Sequence, residues 1–173
     1  AEFFFIIVRY LGNNSGIPDG GVDGKCSVTY RGEENLWGNI WTWLDGINII
    51  AKGVNEAYLH KAGATMADDT TTGYKNYGTQ LSHQNGYQSA VGYSEDYPEV
   101  FLPTACAGTD ALPIGDYYWQ NYTYNGFLIA LLGGGWTYGS YCGAWSLGVN
   151  TASSDRSRTL GGRLLYVPQT KVA

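Results

Sequence analysis

EENLWGNIWTWLDG, residues 33 to 46, carries the strongest periodic signal in the chain. Leu36, Ile40 and Leu44 recur at every fourth position with Trp37 and Trp41 on the adjoining stripe, a pattern that predicts an amphipathic helix. Glu33 and Glu34 suit the positive end of its dipole, and Gly46 is placed to stop it. Gly38 within it costs about 1 kcal/mol against Ala, which implies a close backbone neighbour.

Working outward, Ile47 to Ala51 and Glu56 to His60 read as strands joined by the short turn KGVN. FFFIIV, Phe3 to Val8, opens a buried strand reaching Tyr10, and the Gly-, Asn- and Asp-rich stretch after it reads as exposed loop. Ser27 to Tyr30 is a short alternation. Ala67 to Ser89 lacks apolar periodicity and reads as a long structured loop. Val91 to Tyr93, Val100 to Pro103, Asp116 to Asn121, Gly126 to Leu132, Gly143 to Val149 and Gly162 to Val167 are strand candidates between glycine-bearing turns. The expectation is one α+β domain spanning residues 1–173, with short antiparallel strands, one or two helices and long loops.

Composition excludes several functions. The 173 residues suit one domain, and the 44% hydrophobic content argues against a disordered chain. A net charge of −5 offers nothing like the basic footprint of a nucleic-acid binder. No apolar run approaches the roughly 20 residues of a membrane helix, so membrane insertion is not expected. FFFIIV lacks the basic flank and cleavage site of a signal peptide, and the chain starts at Ala, as a processed or truncated piece would. Cys26, Cys106 and Cys142 form no CxxC, and an odd count leaves at least one without an intramolecular partner.

Catalytic patterns are sparse. His60 and His83 stand apart from any HExxH or nucleophile motif and read as structural or surface residues. Asp68 and Asp69, like Asp19 and Asp23, lack an EF-hand context and read as solvated acidic loops. Gly133 to Gly135 opens onto Trp136 without the Lys-Ser/Thr of a phosphate loop. No catalytic residue, metal site or cofactor is expected.

The segment Gly133 to Leu164, GGGWTYGSYCGAWSLGVNTASSDRSRTLGGRL, differs in kind. Glycines and tryptophans alternate with Tyr, Ser and Thr, which supply large contact area and adaptable hydrogen bonding at low entropic cost, as antibody paratopes do. Ordinary loops share that composition.

GNIWTW at Gly38 to Trp43, GGGW and the closing GGRLLYVP are similar to the GNVWEW, GGSW and GFR segments of formylglycine-generating-enzyme-type domains, which have a C-type lectin fold. A closer and longer resemblance, from Tyr30 to Pro168, is to the variable proteins of diversity-generating retroelements, which share that fold. It is carried by YRGEENLWGNIWTWLDGINI, FLPTACAG, DYYWQN, GGGW, ASSDRSR and LGGRLLYVP.

The resemblance implies a single C-type lectin-like ligand-binding domain with a variable region of about residues 117–164. In that family, template adenines are substituted, often in AAC codons, so varied positions hold residues whose codons can end in C. Tyr122, Thr123, Tyr124, Gly135, Thr137, Tyr138, Tyr141, Ser146, Gly148, Thr151, Asp155, Ser157 and Thr159 meet that condition and become the expected ligand-binding set. Those from Tyr138 onward are expected to share one exposed face. Trp136, Trp145 and Gln120 have no such codon and are assigned to the frame with Gly143, Gly161 and Arg163; Trp37, Trp41 and Trp43 are expected to be buried with Trp136 and Trp145.

The implied function is a hypervariable receptor-binding protein at a virion tail tip or cell surface, binding a protein or glycan receptor on a host or target cell. The resemblance leaves the oligomeric state open between monomer and trimer. Two alternatives are an oxidase of the formylglycine-generating type and a calcium-dependent lectin. The oxidase needs a second cysteine near Cys142, where Leu147 stands, and the lectin needs EPN, QPD or WND tripeptides that the chain lacks.

Overall fold

A computed structural model describes residues 29–30, 33–34, 37–61, 65–111 and 116–162. The opening strand Phe3 to Tyr10, Cys26, Arg163 and nearly all of the strand expected from Gly162 lie outside the described residues. Among the described residues there are twelve strands: β1 (Thr29–Tyr30), β2 (Glu33–Glu34), β3 (Trp41–Ala51), β4 (Glu56–His60), β5 (Tyr74–Gln80), β6 (Gly86–Tyr87), β7 (Ala90–Gly92), β8 (Leu102–Ala105), β9 (Tyr117–Gln120), β10 (Gly126–Leu132), β11 (Leu147–Thr151) and β12 (Leu160–Gly161). The only helical element among the described residues is a short 3-10 turn, Gly139–Tyr141. This overturns the expected α+β class with its C-type lectin-like arrangement of one or two helices: the chain is nearly all β, built on one large mixed sheet.

The expected helix over residues 33–46 is not formed: Glu33 and Glu34 make β2, residues 37–40 are irregular, and Trp41 to Gly46 begin β3, the longest strand. Gly38 and Gly46 adopt φ of 74° and 85°, left-handed conformations that interrupt a helix at both positions. Between them Ile40, Trp41, Thr42 and Trp43 are β-branched or aromatic residues suited to a pleated surface. Central strands buried on both faces lose the alternation that would reveal them, so the four-residue spacing misleads.

The large sheet runs β5-β4-β3-β10-β11-β9-β6, with β12 pairing parallel to the start of β3 at Leu160↔Trp41. β3 pairs antiparallel with β10 from Thr42↔Leu132 to Ala51↔Gly126, interrupted where Ala130 alone faces Leu44 to Ile47. This bulge contains Gly46. The Ala67 to Ser89 stretch expected as loop contains β5, the far edge of the sheet.

One face of the sheet holds the core, with Ile49, Ala51, Leu59, Tyr77, Tyr118, Leu128, Ala130, Leu147 and Val149 packed together with Leu102 and Cys106. β7 and β8 form a separate two-stranded unit, to which Tyr77 is tied by 2.8 Å hydroxyl contacts with the carbonyls of Gly92 and Val100. Asn55, fully buried after β3, donates through Nδ2 to the Ser82 carbonyl at 2.9 Å and to the Tyr118 hydroxyl at 2.7 Å. This polar link ties β9 to the β3–β4 turn within the core.

Tyr118→Phe removes one acceptor of Asn55 and leaves a buried N–H with fewer partners. The expected loss is about 1–3 kcal/mol, read as a lower urea midpoint at unchanged slope.

Candidate ligand-binding face

The opposite face of the sheet is aromatic. In β9, Tyr117 and Trp119 point away from the core while Tyr118 between them is fully buried within it. Register then places Tyr87 beside Tyr117, and Gly148 beside both Trp119 and Leu131. The segment from Gly133 to Ser146 lies across this surface. Trp136 N–H donates to the Asn39 carbonyl at 3.0 Å, and Gly38 N–H to the Gly133 carbonyl at 3.0 Å. Ser146 closes the loop: its carbonyl accepts from Gly133 N–H at 2.9 Å, its N–H donates to the Gly143 carbonyl, and its hydroxyl donates to the Tyr141 carbonyl.

Six rings consequently meet. Trp41 lies 5.1 Å from Trp119 and 5.9 Å from Tyr138, and Trp119 lies 5.3 Å from Tyr138, all in edge-to-face contact. Tyr117 lies 4.5 Å from both Trp119 and Tyr141, and Tyr87 lies 5.2 Å from Tyr117. Such pairs contribute about 0.5–1.5 kcal/mol each beyond area burial, so the rings brace one another. Trp41 is the buried base, Trp119, Tyr117 and Tyr87 are half-buried, and Tyr138 (39% exposed) and Tyr141 (43%) form the outer layer.

The expected binding residues do not share one face. Thr137, Tyr138 and Tyr141 are exposed in the aromatic loop. Asp155 and Ser157 are exposed, with Thr151 and Thr159 half-buried, along a segment shaped by its own side chains: Asp155 Oδ2 accepts from Ala152 N–H at 3.1 Å, and Ser157 Oγ accepts from Thr159 N–H at 3.2 Å. This segment returns to the aromatic loop where Arg158 lies 5.8 Å from the centre of the Trp136 ring. Tyr122, Thr123 and Tyr124 sit beyond the other end of β9 from Tyr117, with half-buried Tyr122 stacked on His83 at 4.3 Å.

Gly135, Ser146 and Gly148 correct the expectation outright, for all three are buried. Ser146, at 0% exposure, is the fastener of the loop, and the two glycines lie under Trp41. Trp145, expected as buried frame, is 49% exposed. Trp37 and Trp41 are buried, whereas Trp43 and Trp136 are only half-buried. Tyr87, Tyr117 and Trp119 were missed as site residues. The alternation in DYYWQN signals the pairing of Tyr117 with Trp119, but Tyr87 joins them only through strand pairing remote in sequence.

Beside the rings, the Asp116 carboxylate accepts from Trp145 N–H at 2.8 Å and sits directly over the α-carbon of Gly143. Burial pushes Asp116 up to about 6 against the pull of that hydrogen bond. Burial likewise pushes the Cys142 thiol up to about 12, with nearby Asp116 adding to the rise, and the thiol donates to the Gly135 carbonyl at 3.1 Å. It is a buried packing group of the loop. Among the described residues no three His, Cys, Asp or Glu side chains gather as a metal site. No helix among them is long and apolar enough to cross a membrane.

No protein-family model, curated protein or solved structure matches the chain. Two outcomes follow for the acidic corner of the site. Gly143→Ala forces a methyl group into the Asp116 carboxylate and is expected to cost about 1–3 kcal/mol in thermal or urea unfolding. Asp116 binds its proton more tightly folded than unfolded, so its stabilising effect is complete below about pH 4 and is lost as pH rises through about 6. Melts across that range should show the native chain losing stability relative to Asp116→Asn, by at most about 1.4 kcal/mol per pH unit.

Proposed function

We propose that the chain is a hypervariable ligand- or receptor-binding protein, the variable protein of a diversity-generating retroelement, shown at a virion tail tip or cell surface to a protein or glycan receptor on a host or target cell. The observation that carries this reading is the braced aromatic cluster whose outer layer, Tyr138 and Tyr141, belongs to the codon-compatible set. Aromatic residues dominate binding hot spots because a rigid ring buries much area while losing little rotamer freedom. Here the rings stand on a hydrogen-bonded sheet and pack on one another, which keeps the ordering cost of binding low.

Exposed Thr137 and Ser140 border this cluster, Ser140 through its contacts with the Tyr87 hydroxyl, and Asp155 and Ser157 are exposed on the segment whose Arg158 reaches Trp136. Substitutions at such positions usually change stability by under about 0.5 kcal/mol, so partner choice can change while the fold persists. The mechanism is affinity without bond chemistry, and several copies on one particle would multiply weak contacts into avidity.

The test has a genetic and a binding arm. Sibling sequences are expected to differ from this chain at Thr137, Tyr138, Tyr141, Asp155 and Ser157 while retaining Trp136, with a near-copy of the segment differing only at adenines beside a reverse transcriptase gene. Equal variation at Trp136 would overturn the reading. In the second arm the full chain, displayed in multiple copies, is screened on arrays of cell-surface glycans and proteins. Tyr138→Ala with Tyr141→Ala is expected to weaken any specific signal by 30-fold or more, equivalent to about 2 kcal/mol.

A further inference from the structure

Gly135 and Gly148 lie beneath the aromatic face, against two edges of the Trp41 indole. A Cβ on Gly135 would stand 3.5 Å from Trp41 Cδ1 and 3.5 Å from the Tyr138 ring. A Cβ on Gly148 would stand 3.5 Å from Trp41 Cζ3, 3.6 Å from Leu131 Cβ and 3.4 Å from Asn150 Oδ1. Both glycines are buried. Neither has a positive φ, in contrast to Gly133 at 97° and Gly134 at 77°. Backbone geometry therefore does not demand glycine at 135 or 148; the demand is for space. A methyl group fits there in ordinary van der Waals contact, and a larger side chain must displace a neighbour, the indole being the one common to both positions.

The indole in turn touches the face. Trp41 contacts both Trp119 and Tyr138, and these two contact each other, so the three rings form a closed triangle. Close-packed groups transmit displacement because no void absorbs it. We infer that Gly135 and Gly148 are positioning residues for the binding face: the size of the side chain at each sets the place of the Trp41 indole and, through it, the arrangement of Trp119 and Tyr138 that a ligand meets. The inference rests on reading this face as the ligand surface and extends it. Substitution at a buried position remodels the face although no substituted atom reaches the ligand.

The test uses the full chain labelled with 5-fluorotryptophan or 3-fluorotyrosine and follows the fluorine resonances of Trp119 and Tyr138. The variants are Gly148→Ala, Gly148→Ser, Gly148→Asn and Gly148→Leu, the same four at Gly135, and Thr137→Asn as an exposed control. Ala variants and the control are expected to overlay the native spectrum at Trp119, while Ser, Asn and Leu shift both reporters progressively with size and retain a cooperative melt. Unmoved Trp119 and Tyr138 resonances in the Asn variants would overturn the inference, as would Ala variants that shift as far as Leu. If Leu proves too large to fold, the Ser and Asn variants still decide. The experiment contains no ligand, so its failure leaves the binding proposal standing, and failure of the array screen leaves the ring coupling standing.

Discussion

The pairing of β3 with β10, and the bulge that interrupts it, is the constraint on which the rest depends. Between Trp43↔Leu131 and Asn48↔Ile129 the two strands differ by three residues, four on β3 facing one on β10. An odd difference reverses the pleat, so Trp41 and Trp43 come to share a face with Asn48 although their spacing alone would place them on opposite sides. Ile49 and Ala51 can then enter the core while Trp41 supports the outer face. Gly46, at φ of 85°, supplies the left-handed residue within the bulge.

From this pairing the aromatic face assembles by accumulation of remote contacts. β11 joins β10, β9 joins β11 in parallel, and β6 joins β9, each adding a residue to the same surface. The loop from Gly133 to Ser146 then closes over Trp41 and places Tyr138 and Tyr141 outermost. Its closure is polar, through Ser146 and the Asn39 and Gly133 backbone, while its seating is aromatic. The division matters because hydrogen bonds fix the loop's path and leave the ring contacts to set its height above the sheet.

Much of this was legible in the residues. β4 and β10 coincide with the strands expected from their apolar runs, and the Tyr-, Ser- and Gly-rich loop stood out by composition. The first half of β3, Trp41 to Gly46, did not, although Ile47 to Ala51 coincides with an expected strand: a strand with neighbours along both edges carries apolar residues on both faces, and a bulge that breaks the two-residue period leaves a helix-like spacing. β5 was hidden for the opposite reason. As an edge strand it buries Tyr74 and Tyr77 at a spacing of three, with Gly78 breaking the alternation after them. Gly135, Ser146 and Gly148 met the codon condition, but burial is decided by what folds over a residue, and a codon carries no record of that.

The exposed and buried members of the codon-compatible set therefore differ in what a change at each involves. Thr137 and Ser157 are exposed on turns, and replacing them alters mainly the outer surface. Tyr138 is exposed yet packs on Trp41 and Trp119, so replacing it alters a contact and loosens a brace in one step. Ser146 fastens the loop, and changing it releases the carbonyl of Tyr141 and with it the outer ring beside Tyr117. A face organised in this way is not a uniform array of interchangeable positions. Exposed turn residues such as Thr137 can change at little structural cost, whereas Tyr138, Ser146 and the residues beneath them hold the shape of the face itself.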